Sequence, residues 1–235
     1  MRRTIAKASL ITALNLLVFA MIGTALLALT YQLTHELISR SEEKAKLKLV
    51  TQIVPSDAYD NDIINDTMPL APDKLLGNDD TTVAYLGRVK EQPSIAVMQV
   101  IAPDGYSGKI NLIISIHCDG PRAGRIGGVR VISHKETPGL GDYIEIARSK
   151  WITGFNGASL EAIKEGDWKV KKDGGQFDYM AGATITPRAV VKAVHKALQY
   201  FAQHRDELFA RKNTTPPNLP LSGEGQRKLE GSVTN

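Results

Sequence analysis

The first clear pattern along the chain is a block without charge. Every side chain from residue 8 to residue 34 is uncharged, in the run ASLITALNLLVFAMIGTALLALTYQLT. As a helix these 27 residues would be about 40 Å long, more than the ~30 Å hydrocarbon core of a bilayer requires. The apolar centre, residues 10–29, is itself long enough to span; Asn15 is the one strongly polar side chain, and Tyr31 stands where an interfacial aromatic belongs. A cleaved signal peptide would have a shorter apolar region ending at a small-x-small site, and the run after Ala28 offers only a weak one. The expectation is an uncleaved anchor over residues 1–34. Helical spacing continues through Leu37, Leu47, Val50 and Val54 among charged neighbours, and Pro55 ends it.

The pattern then changes three times. Residues 56–81 hold Asp57, Asp60, Asp62, Asp66, Asp73, Asp79 and Asp80 against one base, Lys74, and read as a solvated loop with a short helical piece. These carboxylates lack the fixed ligand spacing of a calcium-binding EF-hand. Residues 35–81 therefore form a juxtamembrane helix and acidic linker. Next come Val- and Ile-rich runs at 83–89, 95–101, 110–117 and 128–132, separated by Pro-Asp-Gly, Cys-Asp-Gly-Pro and Gly-Gly turns. Such short connections predict an antiparallel meander. A Gly/Pro loop follows, then helical periodicity over 143–155 with Trp151 and Phe155 on one apolar face, then a strand and turn over 168–178. Last is a helix with Thr186 as N-cap, Pro187 as first residue and an apolar stripe of Val190, Val194, Ala197, Leu198 and Phe201. The fold class is thus α+β: one transmembrane helix, then an antiparallel sheet with flanking helices over residues 82–205. Residues 206–235 are read as the helix end and a disordered tail, rich in Pro, Gly, Ser, Thr and Asn.

Composition sharpens this picture. The chain has 235 residues, 43% of them hydrophobic and 23% charged, which excludes collagen-like, coiled-coil and wholly disordered classes. A single Cys, Cys118, excludes an internal disulfide, a cysteine-built zinc site and a cysteine-ligated iron–sulfur cluster. The 29 Lys and Arg face 25 Asp and Glu, with no basic cluster interleaved with aromatics, so nucleic acid is not an expected partner. Arg2, Arg3 and Lys7 precede the apolar block, whereas His35, Glu36, Arg40, Glu42, Glu43 and Lys44 beyond it are nearly balanced. The positive-inside bias puts the N-terminus in the cytoplasm and the main domain on the other side of a single-pass membrane protein.

No GxSxG, HExxH or P-loop motif is present, and the five His residues are scattered. His195 and His204, nine apart on the last helix, read as ordinary surface positions. Two segments stand out. In Glu136-Thr137-Pro138-Gly139-Leu140-Gly141, two glycines around one Leu let backbone approach a flat ligand. In Asp178-Tyr179-Met180-Ala181-Gly182-Ala183-Thr184, three small residues bring a hydroxyl to a helix N-terminus, where N–H groups and the helix dipole favour a phosphate. A tight strand-to-helix turn with a capping Thr has the same composition.

Together these segments resemble one family. The string Asp178…Gly182-Ala183-Thr184 resembles the D-x-x-(S/T)-G-A-T flavinylation motif, in which a Thr carries FMN through a phosphoester bond. ETPGLG resembles the flavin-contacting loop of the same FMN-binding domain, and APDGYSG at 102–108 and GATITPRAVVKAV at 182–194 are similar to it as well. With the anchor, the chain resembles the G subunit of the Rnf-type (Rsx) ion-translocating electron transport complex, over residues 1 to about 205. The position before Gly182, Ser or Thr in the motif, is Ala181 here, which leaves the turn unaltered and removes a hydroxyl.

The resemblance implies covalent FMN on Thr184, with Asp178, Gly182, Ala183, Glu136, Thr137, Gly139, Leu140 and Gly141 as cofactor-binding residues. It implies a relay subunit in the inner (cytoplasmic) membrane with a periplasmic main domain. Its partners would be the other membrane subunits of the complex and a magnesium-dependent flavin transferase that uses FAD. Thr184 has no adjacent base, in keeping with attachment by a separate enzyme. Two other readings of the chain are a C subunit of a sodium-translocating NADH:quinone oxidoreductase, which shares the domain, and a cofactor-free anchored binding module. A membrane-anchored hydrolase would need a polar triad that the sequence does not display.

Overall fold

The computed structural model describes residues 2–120 and 123–210, with side chains for residues 10–35, 48–120 and 123–210. The tail expectation for residues 211–235 lies outside the described residues. Two compact units meet in the chain between Ala45 and Lys46.

The first unit is helical over its described residues, 2–45. It belongs to α1 (Arg2–Ile53), whose stretch Leu10–His35 has a mean hydropathy of 2.3 and no buried residue. Among the described residues this is the one helix long and apolar enough to cross a membrane. The hydroxyls of Thr24, Thr30 and Thr34 donate to the carbonyls of Ala20, Leu26 and Thr30 at 2.8 Å, so these polar groups are satisfied within the helix.

The second unit is built on a five-stranded sheet in sequential order, every pair antiparallel: β1 (Thr67–Leu70), β2 (Thr82–Val89), β3 (Gln92–Gly105), β4 (Gly108–His117) and β5 (Ile126–Ser133). The four predicted strands are β2 to β5. The fifth, β1, lies inside the acidic stretch read as a solvated loop. Leu70 and Leu76 of that stretch are fully buried, and they hold it to the core in spite of its charge.

Both faces of the central strands are covered, which is why they read as continuous Val/Ile runs rather than alternating ones. On one face Ala96, Met98, Val100, Leu112 and Ile114 meet α2 (Ile185–Ala210) through Val190, Val194, Ala197, Leu198 and Phe201. The predicted stripe on the last helix is therefore its core face. On the other face Ile95, Val97 and Ile113 pack against Val50, Ile53, Val54 and Ile63, the end of α1 and the segment after it. There Ser115 Oγ donates to the Ile53 carbonyl at 2.7 Å, and Gly128 leaves room for Ile53, which a Cβ would approach to 3.1 Å.

Residues 141–178 differ from expectation. No α-helix spans 143–155; the chain makes 3₁₀ turns at Gly141–Ile144 and Lys150–Phe155, the second opened by the Ser149 side chain accepting from Trp151 N. Over 168–178 there is a bridge between Val170 and Phe177 around another 3₁₀ turn in place of a full strand. Aromatic contacts replace regular ladders. Rings follow one another from Tyr143 to Trp151, Phe155, Phe177, Trp168 and His195, with centroids 4.7–5.5 Å apart. His195, expected at the surface, is half-buried and stacked on Trp168 at 4.9 Å.

Candidate cofactor site

The site forms where four segments meet: the β3–β4 turn, the loop after β5, the turn over 178–184, and the start of α2. Helix α2 begins at Ile185, one residue before the predicted cap. Thr184 is its N-cap, since the Thr184 carbonyl accepts from Arg188 N at 3.4 Å. Thr186, expected in that role, sits inside the first turn and is buried. Gly182 makes the sharp bend before the helix at φ +87, and Ala183 N donates to the Met180 carbonyl at 3.1 Å. Ala183 is buried, Gly182 and Ala181 are exposed, and Thr184 is half-buried. Among the described residues no hydrogen bond engages the Thr184 hydroxyl.

The upstream end of this turn is pinned from the 3₁₀ region. Trp151 Nε1 donates to the Asp178 carbonyl at 2.7 Å, and Met180 N donates to Tyr143 Oη at 3.4 Å. The Asp178 carboxylate points outward to Lys171 at 2.5 Å. Burial pushes the Tyr143 hydroxyl up to about 12, so it stays protonated across the physiological range.

The ETPGLG loop lies beside this turn. Leu140 N and Gly141 N both donate to the Thr137 carbonyl at 3.1 Å, Gly139 takes φ +77, and its N–H donates to Asp142 Oδ1 at 2.8 Å. Leu140 is 47% exposed at the loop tip, while Thr137 is also exposed. Glu136 is different: only 5% of it is exposed. Its Oε1 accepts from Ser107 N of the β3–β4 turn at 3.0 Å, and its Oε2 accepts from Thr186 Oγ1 at 2.5 Å. Glu136 N donates to His134 Nδ1 at 2.9 Å, so the neutral ring carries its proton on Nε2 and gives it to Glu145 Oε1 at 2.7 Å.

The structure thus brings the two motifs together, with Glu136 as the link. Sequence reasoning missed Ser107, Tyr143 and Trp151 as groups that shape the site. Trp151 and Tyr143 showed only as part of an apolar periodicity, and Ser107 only as part of APDGYSG. A groove of about 480 Å³ lies between the end of α1 and β5, lined by Ile53, Tyr59, Gly128 and Arg130, and contains none of the motif residues.

Two family models match the chain: an FMN-binding domain over residues 105–199 and an RnfG N-terminal region over residues 1–53. The first spans the β3–β4 turn, the ETPGLG loop, the turn over 178–184 and most of α2. Among curated proteins, the G subunit of the ion-translocating oxidoreductase complex of Pseudomonas aeruginosa is 46% identical over 204 residues, covering 87% of this chain and 94% of that protein. The G subunit of the same complex in Vibrio cholerae is 47% identical over 200 residues, covering 85% and 93%. That of Shewanella oneidensis is 41% identical over 198 residues, covering 84% and 92%. Identity at this level across nearly the whole of each relative, with the FMN-binding domain and the RnfG N-terminal region both matched, places this chain in the family of G subunits of Rnf-type ion-translocating oxidoreductase complexes.

Proposed function

We propose that this chain is an electron-relay subunit of a membrane-bound Rnf-type ion-translocating oxidoreductase, carrying FMN through a phosphoester on Thr184. The observation that carries the reading is Thr184 itself: a half-buried N-cap hydroxyl with no hydrogen-bond partner among the described residues, at the end of a turn that matches the flavinylation motif at every fixed position but Ala181. Family membership supports the relay role, because the matched relatives are subunits of ion-translocating oxidoreductase complexes and the matched domain is named for FMN.

The residues fit a phosphate-linked flavin. First-turn N–H groups of α2 have no partner within the helix and, with its dipole, favour the negative charge that a phosphodiester keeps. Gly182 and Ala181 leave the approach to Thr184 open, and a Cβ at Gly182 would meet nothing within 4 Å. Leu140, Tyr179, Met180 and Ile185 are large apolar side chains left 39–47% exposed around the turn and loop, suited to a flat aromatic ring. Attachment forms a bond between Thr184 Oγ and the FMN phosphorus of FAD, releases AMP and frees the hydroxyl proton. No base stands by Thr184 in sequence, so a separate flavin transferase would supply the activation. When bound, the flavin accepts electrons and passes them on, while the protein sets its position and surroundings. Tethering holds it at an effective concentration that no dissociable site matches.

In this reading the N-terminus is cytoplasmic, the second unit is periplasmic, and the partners are the other membrane subunits. The sodium-translocating alternative is disfavoured by the RnfG match over residues 1–53. Purification from the native membrane tests the assembly: an iron–sulfur B subunit should accompany the chain, and a sodium-translocating quinone reductase in its place would refute the Rnf assignment.

A further inference from the structure

From the geometry of Glu136 we infer a role distinct from flavin contact: it is a positioning residue, a buried clasp that fixes the start of α2 and thereby the Thr184 hydroxyl. The inference rests on reading Thr184 as the attachment site. Glu136 lies fifty residues before Thr186 in sequence, yet their side chains meet at 2.5 Å. Its other oxygen takes the Ser107 N–H at the tip of the β3–β4 turn. One carboxylate therefore ties a hairpin tip to the first turn of a helix, two residues past Thr184.

The surroundings close the carboxylate to any larger ligand. A Cβ on Gly141 would lie 2.7 Å from Oε2 and 3.0 Å from Thr186 Oγ1, and one on Gly105 would lie 3.0 Å from Oε1. Backbone thus fills the space on two sides, and both oxygens are already accepting. The residue's own backbone is held by His134, which Glu145 orients. Donation to a carboxylate is stronger than to a neutral acceptor, so this pair of bonds is a firm link between elements otherwise joined by loops. The loop's contact with a flavin is then left to its exposed tip at Leu140, and Glu136 acts from behind.

The test uses the full chain in detergent with a flavin transferase, FAD and magnesium, following FMN incorporation by intact-mass spectrometry. Thr186→Val replaces the hydroxyl with a methyl of similar size, and Glu136→Ala removes the other half of the clasp. Each should slow incorporation about tenfold, the factor expected for a lost hydrogen bond to a charged group. Thr186→Ser should stay within about twofold of the parent chain, because it keeps the donor. The double variant Glu136→Ala with Thr186→Val should be no slower than Glu136→Ala alone, since that variant already removes the bond that Thr186→Val breaks. In the unlabelled chain, hydrogen exchange should rise about tenfold in peptides over 104–109 and 183–188 and stay unchanged in β4. Multiplying effects in the double variant, or parent-like incorporation and exchange in Thr186→Val and Glu136→Ala, would overturn the clasp. A variant with exchange raised throughout β4 is unfolded; the Thr186→Ser and Thr186→Val pair then decides, and equal rates in that pair would refute it. A parent chain that takes no FMN refutes the Thr184 reading itself, while its exchange pattern still reports on the clasp.

Discussion

At the scale of single residues, the site separates groups that offer chemistry from groups that hold shape. Thr184 offers its hydroxyl and makes no side-chain cap bond among the described residues. Thr184→Ala should therefore shift stability by less than about 0.5 kcal/mol, while abolishing covalent flavin; thermal melting and in-gel fluorescence check the two halves. Ala181, where the motif has Ser or Thr, is exposed, so Ala181→Ser should change the incorporation rate by no more than about twofold in a timed labelling assay. Gly141 is the opposite case. A Cβ there would reach 2.7 Å from Glu136 Oε2 and 2.9 Å from Glu136 Cβ, so Gly141→Ala should cost about 1–3 kcal/mol in denaturant unfolding.

At the scale of elements, α2 ties the core to the site, since the helix that begins after Thr184 buries Val190, Val194, Ala197, Leu198 and Phe201 against the sheet. Leu198→Ala should cost about 2–5 kcal/mol in equilibrium unfolding, for it deletes buried methyl groups from a close-packed face. That stripe, like strands β2 to β5, was legible because apolar spacing and turn residues agree along those stretches. Strand β1 was not: it is four residues long, includes Pro69, and sits among carboxylates that mask Leu70 and Leu76. Residues 143–155 misled for another reason. Their apolar spacing suits a helix, but Tyr143 and Phe155 are buried by two separate 3₁₀ turns, and Phe155 stacks on Phe177, which lies well along the chain. In the site, Gly182 and Thr184 carried local motif signals. The bond from Thr186 to Glu136 carried none, because two residues fifty apart meet only once the sheet and α2 are in place.

For the whole molecule, a helix fit to cross a membrane precedes a folded unit whose core covers both faces of one sheet. Two buried acids report on that core. Burial raises the Cys118 thiol from 9.0 and the Tyr143 hydroxyl from 10.0, each to about 12. A folded-state value above the unfolded one means that the unfolded chain releases its proton first. Their contribution is full below about pH 9 and is lost as pH rises toward 12. Melting temperature should fall across that window, with a shallower slope in Cys118→Ala, and native Cys118 should resist thiol reagents. The central claim is the proposed phosphoester on Thr184, the bond that would make this unit a redox carrier. Peptide mapping by mass spectrometry of the chain from its own membrane, after denaturation, tests it most directly. The expected result is one FMN phosphoester on the peptide containing Thr184, at Thr184 itself. A peptide without flavin, or flavin fixed to Thr186 instead, would contradict the account.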